Sequence, residues 1–290
     1  MTFGIKGNKN REELAKVVLG LIKDLNKRKI PYVVDKEIAK TISSDFKYSI
    51  PASLRVNDRE ILGKSDFLVS IGGDGTFLST AKLVGKRNIP IIGVNLGKLG
   101  FLAETSTNDI GKFIYEVTKG KFHIEERTVL SAGADGSKKV IYGMNEIVIN
   151  QSGLVKTIVI QAYYNNQLVN SYHADGMLVA TPTGSTGYSL SAGGPIVYPK
   201  TAVFILSPLS PHTLTARPVI LPNDGVFKIK VVSKVPINVT ADGNSSIKLR
   251  GAAEIEIKKA PYTVKLAKSL NSNYFKVLTR KLFWGADIRK

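Results

Sequence analysis

The sequence predicts an α/β N-terminal domain with a doubly wound, mostly parallel sheet. An all-β, sandwich-like C-terminal domain follows, then a C-terminal helix that packs back on the first domain. Three observations predict this. Over residues 1–120, short apolar runs alternate with stretches of helical apolar spacing, the pattern of a parallel sheet with crossover helices. From residue 121, short strand-like runs follow one another with turn residues between them, as in a sandwich or barrel-like domain. After residue 268, helical spacing returns. The expected organisation is therefore 1–120, 121–268 and a returning segment 269–290, with no linker at the first boundary.

In order, residues 1–7 read as a strand ending at glycine. Residues 11–28 carry Leu14, Val17, Val18, Leu21, Ile22 and Leu25 on one helical face. Asn10 is the expected N-cap, with Glu12 and Glu13 in the first turn. Residues 30–35 form a second strand and 36–42 a short helix; the polar stretch 43–60 receives no assignment. Phe67 to Ile71 is a buried strand, Gly72 to Thr76 a tight turn, and the helix after Thr76 reaches about Val84. Residues 89–95 form another strand, 96–100 a second glycine-rich turn, and 106–120 a helix with a cap region at Ser106–Asp109 and a closing Gly120. Ligands of such sheets bind beyond the carboxyl ends of strands, where both glycine turns lie. In the second half, Asp135-Gly136 and Asn165-Asn166 read as hairpin turns. From 201 onward AVFILSP, VFKIKVVSK, INVTADG, AEIEIKK and YTVKLAK continue the strands. In the last stretch Phe275, Leu278 and Leu282 fall at helical spacing, with Trp284 just past them.

Composition bounds the function. The chain has 290 residues, 43% hydrophobic, and its mean hydropathy is near zero, which fits a soluble globular protein. No apolar run approaches the roughly 18 residues of a membrane span, and the N-terminus lacks the apolar core of a secretion signal. Cysteine is absent, which excludes disulfides and thiolate metal sites. The expected location is the cytoplasm. A net charge of +18 points to polyanionic partners such as nucleotides or polyphosphate, while no nucleic-acid-binding signature is present and no membrane partner is expected. The three histidines, His123, His173 and His212, are too scattered for a metal site, and no Walker-type phosphate loop occurs.

Four stretches could carry chemistry. In Gly72-Gly73-Asp74-Gly75-Thr76, glycines let the backbone approach a ligand and a helix start aims free N–H groups at phosphate, with one acid, Asp74, in place. The same composition also suits a plain turn. In NLGKLGFLAE (95–104), Lys98 could meet a phosphate and Phe101 and Leu102 flank a base, or the stretch is a structural loop. Asn145-Glu146 places an amide and a carboxylate side by side, suited to a ribose diol or an adenine amino group, or simply begins a strand. In residues 173–195, Asp175-Gly176 precedes a strand. The hydroxyls of Thr181, Thr183, Ser185, Thr186, Ser189 and Ser191 then alternate with glycines, a set that can bind phosphates and ribose without bulk. Tyr188 could stack on a base.

Together these residues resemble the NAD kinase family. GGDGT at 72–76, NLGKLGF at 95–101, Asn145-Glu146 and DGMLVATPTGSTGYSLSAGGP at 175–195 occur in the family's order, and SPLSPHTLTARP and ADGN also match. GGDGT alone is shared with lipid kinases and phosphofructokinases; the other motifs make the match specific. The resemblance implies phosphorylation of the 2′-hydroxyl of the adenosine ribose of NAD by ATP or polyphosphate, giving NADP. It implies a divalent metal ion, Mg²⁺, a site between the two domains, and a homodimer or homotetramer. It makes Asp74 the general base, with metal binding as its rival role, and Gly75 and Phe101 neighbours of the nucleotide. Asn145 and Glu146 would bind adenosine, and Asp175 the nicotinamide end. Thr183, Thr186, Gly187, Tyr188, Ser189, Leu190 and Ser191 would line the adenine and ribose pocket. Lys156, His173 and Asn244 match positions that contact substrate. Family members often carry Arg, Lys or His five residues after the aspartate, where this chain has Ser79, and alanine where it has Gly187.

Overall fold

The computed structural model describes residues 1–97, 99–151 and 157–283. They form two compact units, Met1–Glu125 with the residues from Lys265 onward, and Glu126–Val264.

The first unit begins β1 (Phe3–Gly7), α1 (Glu13–Lys27), β2 (Tyr32–Asp35), α2 (Lys36–Phe46), β3 (Arg55–Val56), α3 (Asp58–Lys64) and β4 (Phe67–Gly72). It continues through α4 (Asp74–Val84), β5 (Ile91–Asn95), β6 (Thr105–Ser106) and α5 (Ile110–Thr118). Its strands pair in parallel in the order β3-β2-β1-β4-β5, with β6 beside β5. The chain builds outward from β1 to β3, then returns to the other side of β1 for β4. That reversal puts the topological switch between β1 and β4, and the 72–76 turn leaves the carboxyl end of β4. Leu14, Val18, Leu21, Ile22 and Leu25 of α1 are buried against β1, β4 and the apolar faces of α2 and α5.

The chain then runs through β7 (His123–Ala134), β8 (Ile141–Gly143), β9 (Glu146–Gln151), β10 (Ile158–Tyr164), β11 (Gln167–Ala174), β12 (Gly176–Ala180) and α6 (Tyr188–Ser191). After these come β13 (Val203–Leu209), β14 (Val219–Pro222), β15 (Phe227–Val232), β16 (Ile237–Ala241), β17 (Ser245–Leu249) and β18 (Ala253–Lys268), and finally α7 (Tyr274–Leu282). Within the second unit β11-β10-β15-β18 form one antiparallel array and β14-β13-β12-β9-β16-β17 another. Ile160, Phe227, Ile229 and Ile255 from the first meet Ile147, Ile149, Met177, Val179 and Phe204 from the second in one core, the expected sandwich. Asn165 and Asn166 both adopt positive φ (49° and 64°), the hairpin turn read from the sequence. No helix of the described residues is long and apolar enough to cross a membrane.

Several expectations are corrected. Asn10 does not cap α1: Glu12 occupies that position with no side-chain cap, and the Asn10 N–H donates to Asn8. The unassigned stretch 43–60 holds the end of α2, a 3₁₀ turn at Ala52–Leu54, β3 and the start of α3. Helix α4 starts at Asp74, before Thr76, because Gly73 serves as its extended cap. The expected pair of strands after 252 is one strand, β18. Pro261, which lacks an N–H, lies between the stretch paired to β15 and the residue paired to β5, so neither pairing loses a hydrogen bond. On α7 the buried residues are Val277 and Leu278, while Phe275 is 56% exposed. Trp284 lies outside the described residues.

Two ties hold the C-terminal segment. Lys268, 6% exposed, pairs with Glu104 and lies 3.7 Å from Glu125, and the Ser272 hydroxyl donates to the other Glu104 oxygen at 2.6 Å. Glu104 is thus the acid that ends the second glycine-rich loop and the anchor of the returning segment.

Helix α3 owes its start to a reciprocal cap: Asn57 accepts from the N–H groups of Arg59 and Glu60, and Glu60 accepts from the Asn57 N–H. Asn57→Ala is expected to destabilise the fold by about 1 kcal/mol, read as a lower midpoint in urea with an unchanged slope.

Candidate active site

In the first unit the site begins with backbone geometry. The Cβ that Gly72 lacks would strike the side chain of Thr76, so the turn closes only with glycine there. A Cβ at Gly73 or Gly75 would meet open space among the described residues, and their lack of side chains leaves room at the N-terminus of α4. Asp74 is the first residue of α4. Its Oδ2 accepts the Phe101 N–H at 2.9 Å, and its Oδ1 accepts those of Leu102 (2.9 Å) and Ala103 (3.1 Å). Lys281 of α7 donates to Oδ2 at 2.8 Å. A Cβ at Gly100 would collide with this carboxylate. The two glycine turns of the sequence are therefore one structure, with Asp74 at its centre. Burial by itself would raise the Asp74 pKa, but the Lys281 hydrogen bond and charge, with the Leu102 and Phe101 N–H groups, outweigh it and hold the carboxyl below its ordinary range. Phe101 is buried, tilted against Tyr274 with Lys281 4.7 Å from its ring centroid. Ser79 sits one turn into α4, its hydroxyl donated to the Gly75 carbonyl at 3.1 Å.

The second unit repeats the device. Asp242, in the β16–β17 hairpin at φ 48°, accepts the N–H groups of Met144 (2.7 Å), Asn145 (2.8 Å) and Glu146 (3.0 Å). The 181–187 loop packs on the other side of this segment. Thr181 gives its N–H to the Asn145 carbonyl at 2.8 Å and its hydroxyl to the Met144 carbonyl at 2.6 Å, and Gly184 lacks the Cβ that would strike the Asn145 carbonyl. The site of a Gly187 Cβ lies 3.3 Å from Glu146 Oε2 and 3.5 Å from Asn145 Nδ2. The Asn145 Oδ1 and Glu146 Oε2 atoms are buried and have no hydrogen-bond partner among the described residues. Burial, and then the Asp242 charge, push the Glu146 carboxyl up to about 7.

Not every hydroxyl of the 181–191 run is left for a ligand. Those of Thr181 and Ser185 serve the loop itself: Ser185 donates to the Pro182 carbonyl (2.7 Å) and accepts from Val197 (3.0 Å). Thr183 accepts from Arg127 at 3.2 Å, and Thr186 donates to the Thr183 carbonyl at 3.4 Å. Tyr188 is 48% exposed and Ser191 exposed. Leu190 is half-buried, and Ser189 is fully buried against Gly194. Asn244 is exposed in the same hairpin as Asp242.

Asp175 and His173 are not brought to Asn145 and Glu146. Ala180 pairs with Glu146, whereas Asp175 lies beyond the opposite end of β12, about 16 Å away by strand rise. Lys98 and Lys156 lie outside the described residues.

Sequence reasoning missed Asp242, Arg127 and Lys281. Asp242 carried a signal, an Asp-Gly pair in a strand-rich region; nothing local distinguishes Lys281 among the 41 cations of the chain. No group of three or more His, Asp and Glu side chains converges as a metal site among the described residues. The Asp74 oxygens are already engaged by N–H groups and an ammonium, so the protein groups alone do not fit a resident Mg²⁺.

The chain matches the family models described as ATP-NAD kinase N-terminal domain, over residues 3–122, and ATP-NAD kinase C-terminal domain, over 144–269. A relative from Cytophaga hutchinsonii named NAD kinase is 35% identical over 293 residues and covers 100% of both chains. One from Chloroherpeton thalassium, also named NAD kinase, is 37% identical over 290 residues, covering 99% of each. Yeast NADH kinase complexed with NADH is similar at a TM-score of 0.90 and 25% identity, over 100% of this chain and 89% of that one. An NAD kinase from Archaeoglobus fulgidus in complex with ATP gives 0.76 and 25%, over 98% and 99%.

The raised Glu146 carboxyl has a sign that can be measured. Between pH 4.5 and about 7 the folded protein holds a proton that the unfolded chain has lost, so stability falls as pH rises through that window. Glu146→Gln removes this dependence. Thermal melts from below pH 4.5 to above pH 7 should show a flatter profile for the variant, with a Tm several degrees above that of the parent at the alkaline end.

Proposed function

The chain belongs to the ATP-NAD kinase family and phosphorylates NAD, and on that premise we propose how its residues divide the work. The phosphoryl group goes from ATP, or from polyphosphate, to the 2′-hydroxyl of the adenosine ribose, with Asp74 as the base. The observation that carries this reading is the seat of Asp74: an ionised carboxylate, immobilised by three N–H groups, at an open helix N-terminus.

An alcohol attacks phosphorus through a loose transition state in which little charge collects on the attacking oxygen until late. A carboxylate of depressed pKa is a weak base, yet it suffices there. It accepts the hydroxyl's hydrogen bond from the start, fixes the direction of the oxygen lone pair, and takes the proton as the new bond completes. The N–H groups at the start of α4 offer hydrogen bonds to donor phosphate, and Gly75 leaves room for it.

Adenosine recognition falls to Asn145 and Glu146. A buried acceptor without a donor costs about 1–3 kcal/mol, and here there are two. The adenine amino group and the ribose hydroxyls supply donors of the matching kind. Gly187 leaves space beside both side chains, and Tyr188 offers an exposed ring for stacking. In this reading Thr183, Thr186, Ser189, Leu190 and Ser191 shape the rest of that pocket, Phe101 flanks the nucleotide, and Asn244 contacts it from the Asp242 hairpin. Asp175 and His173, one strand-length from Glu146, hold the nicotinamide half of the same extended dinucleotide, and Lys156 contacts substrate. Mg²⁺ belongs to the donor, entering with its phosphates as part of the substrate. The lipid-kinase alternative rests on GGDGT alone and gives no role to the acceptors at 145–146, and a non-catalytic NADP binder has no use for the Asp74 seat. We place the protein in the cytoplasm as a homodimer or homotetramer.

Purified protein mixed with NAD, Mg²⁺ and either ATP or polyphosphate should form NADP, read with an NADP-specific dehydrogenase; absence of NADP with every donor overturns the reading. Asp74→Asn keeps an acceptor for Leu102 and Ala103 but turns an amide toward the Phe101 N–H. It should bind NAD as the parent does and turn over at least ~100-fold more slowly; near-full turnover would remove Asp74 from the role of base.

A further inference from the structure

Lys281 is an unusual cation. It lies four residues after Val277 and three after Leu278, so it projects from the face that buries α7. Its ammonium is held at two points, the Asp74 Oδ2 at 2.8 Å and the Phe101 ring at 4.7 Å, yet its side chain is 32% exposed. Asp74 does not depend on it alone for support: three backbone N–H groups already occupy three of the carboxylate's roughly four acceptor sites at good distances. An ammonium has three donors, and only one is directed at Asp74. One turn into α4, where a cation would complement donor phosphate, Ser79 stands with its hydroxyl turned back to the Gly75 carbonyl.

We propose that Lys281 is a catalytic residue of the phosphoryl transfer, the ammonium that binds the oxygens of the donor's transferred phosphoryl group and does from α7 what a cation on α4 would do. This rests on the NAD kinase reading above. Lys281 forms no covalent bond. The ribose oxygen bonds to phosphorus as the bond from phosphorus to the leaving phosphate breaks, the leaving group departs with that electron pair, and the hydroxyl proton passes to Asp74. The ammonium balances charge on the equatorial oxygens throughout. Its pairing with Asp74 is the resting arrangement. It sets cation and base side by side, so that one hydroxyl and one phosphorus can be addressed together, and the Phe101 ring limits how far the ammonium can swing.

The test compares the parent with Lys281→Ala and Lys281→Arg in the full-length protein, measuring NADP formation over ranges of ATP and NAD, NAD binding by calorimetry, and thermal melting. Lys281→Ala should lower kcat/KM for ATP by about 100-fold or more, while the Kd for NAD stays within about twofold. Lys281→Arg, which keeps the charge, should recover most of the loss. An alanine variant with unchanged kcat/KM for ATP overturns the proposal. So does faster turnover, which would make the Asp74 pair a clamp, and so does a loss that arginine leaves unrepaired and that weakens NAD binding equally, which would make the lysine structural. A parent protein that forms no NADP overturns the NAD kinase reading and this proposal together; a parent that forms it beside an unaffected alanine variant overturns this proposal alone.

Discussion

Carboxylates that each collect three consecutive backbone N–H groups are the constraint on which the candidate site depends. Asp74 gathers residues 101–103 and Asp242 gathers residues 144–146. Residues 101–103, 144 and 145 lie outside helix and strand, with β9 beginning only at Glu146, and each segment would otherwise bring several unpaired N–H groups into a partly buried place. A charged acceptor is the strongest remedy, with bonds about twice as strong as neutral ones. The loops that carry Phe101 and Asn145, and the start of β9 at Glu146, are therefore fixed by a charged acceptor where ladders are missing or only begin. Each device also needs a glycine opposite: Gly100 beside Asp74, Gly143 and Gly184 around 144–146.

The two sites then diverge electrostatically. Asp74 gains an ammonium and stays ionised; Glu146 has the Asp242 carboxylate beside it, and its proton is held to near neutrality. Both carboxyls are mostly desolvated, and the sign of the nearest charge decides the outcome. The Asp74 carboxyl is thus kept ionised and fixed in place. The Glu146 carboxyl, raised to about 7, can offer either an acceptor or a donor near neutral pH.

The fold class was legible because it follows from local periodicity. The change from alternating strands and helices to successive strands, the glycine turns after β4 and β5, and the Asn165-Asn166 hairpin are all signals within ten residues or so. Asn57 and Glu60 also carried a readable signal, the reciprocal cap spacing, inside a stretch whose elements are too short for periodicity to reveal. The partners of the site were not legible. Asp242 reaches 96 residues back to Glu146 and Lys281 reaches 207 back to Asp74, and no spacing rule links positions so far apart. Hydroxyl-rich sequence misled for a related reason. Thr181 and Ser185 look like ligand donors in the sequence, but a loop that leaves regular structure while buried must spend hydroxyls on its own carbonyls.

The tie between Glu104 and Lys268 bears on the order in which the chain is made. Every strand from β1 to β6 precedes residue 107, so a growing chain could assemble the parallel sheet early. The glutamate at its end, though, meets its buried lysine and its serine only after a further 164 and 168 residues. Until those arrive the carboxylate must stay in water, and the surface that the returning segment covers must stay open. Completion of the first unit is thereby postponed until the whole intervening sandwich has been translated, and Asp74 receives its ammonium later still.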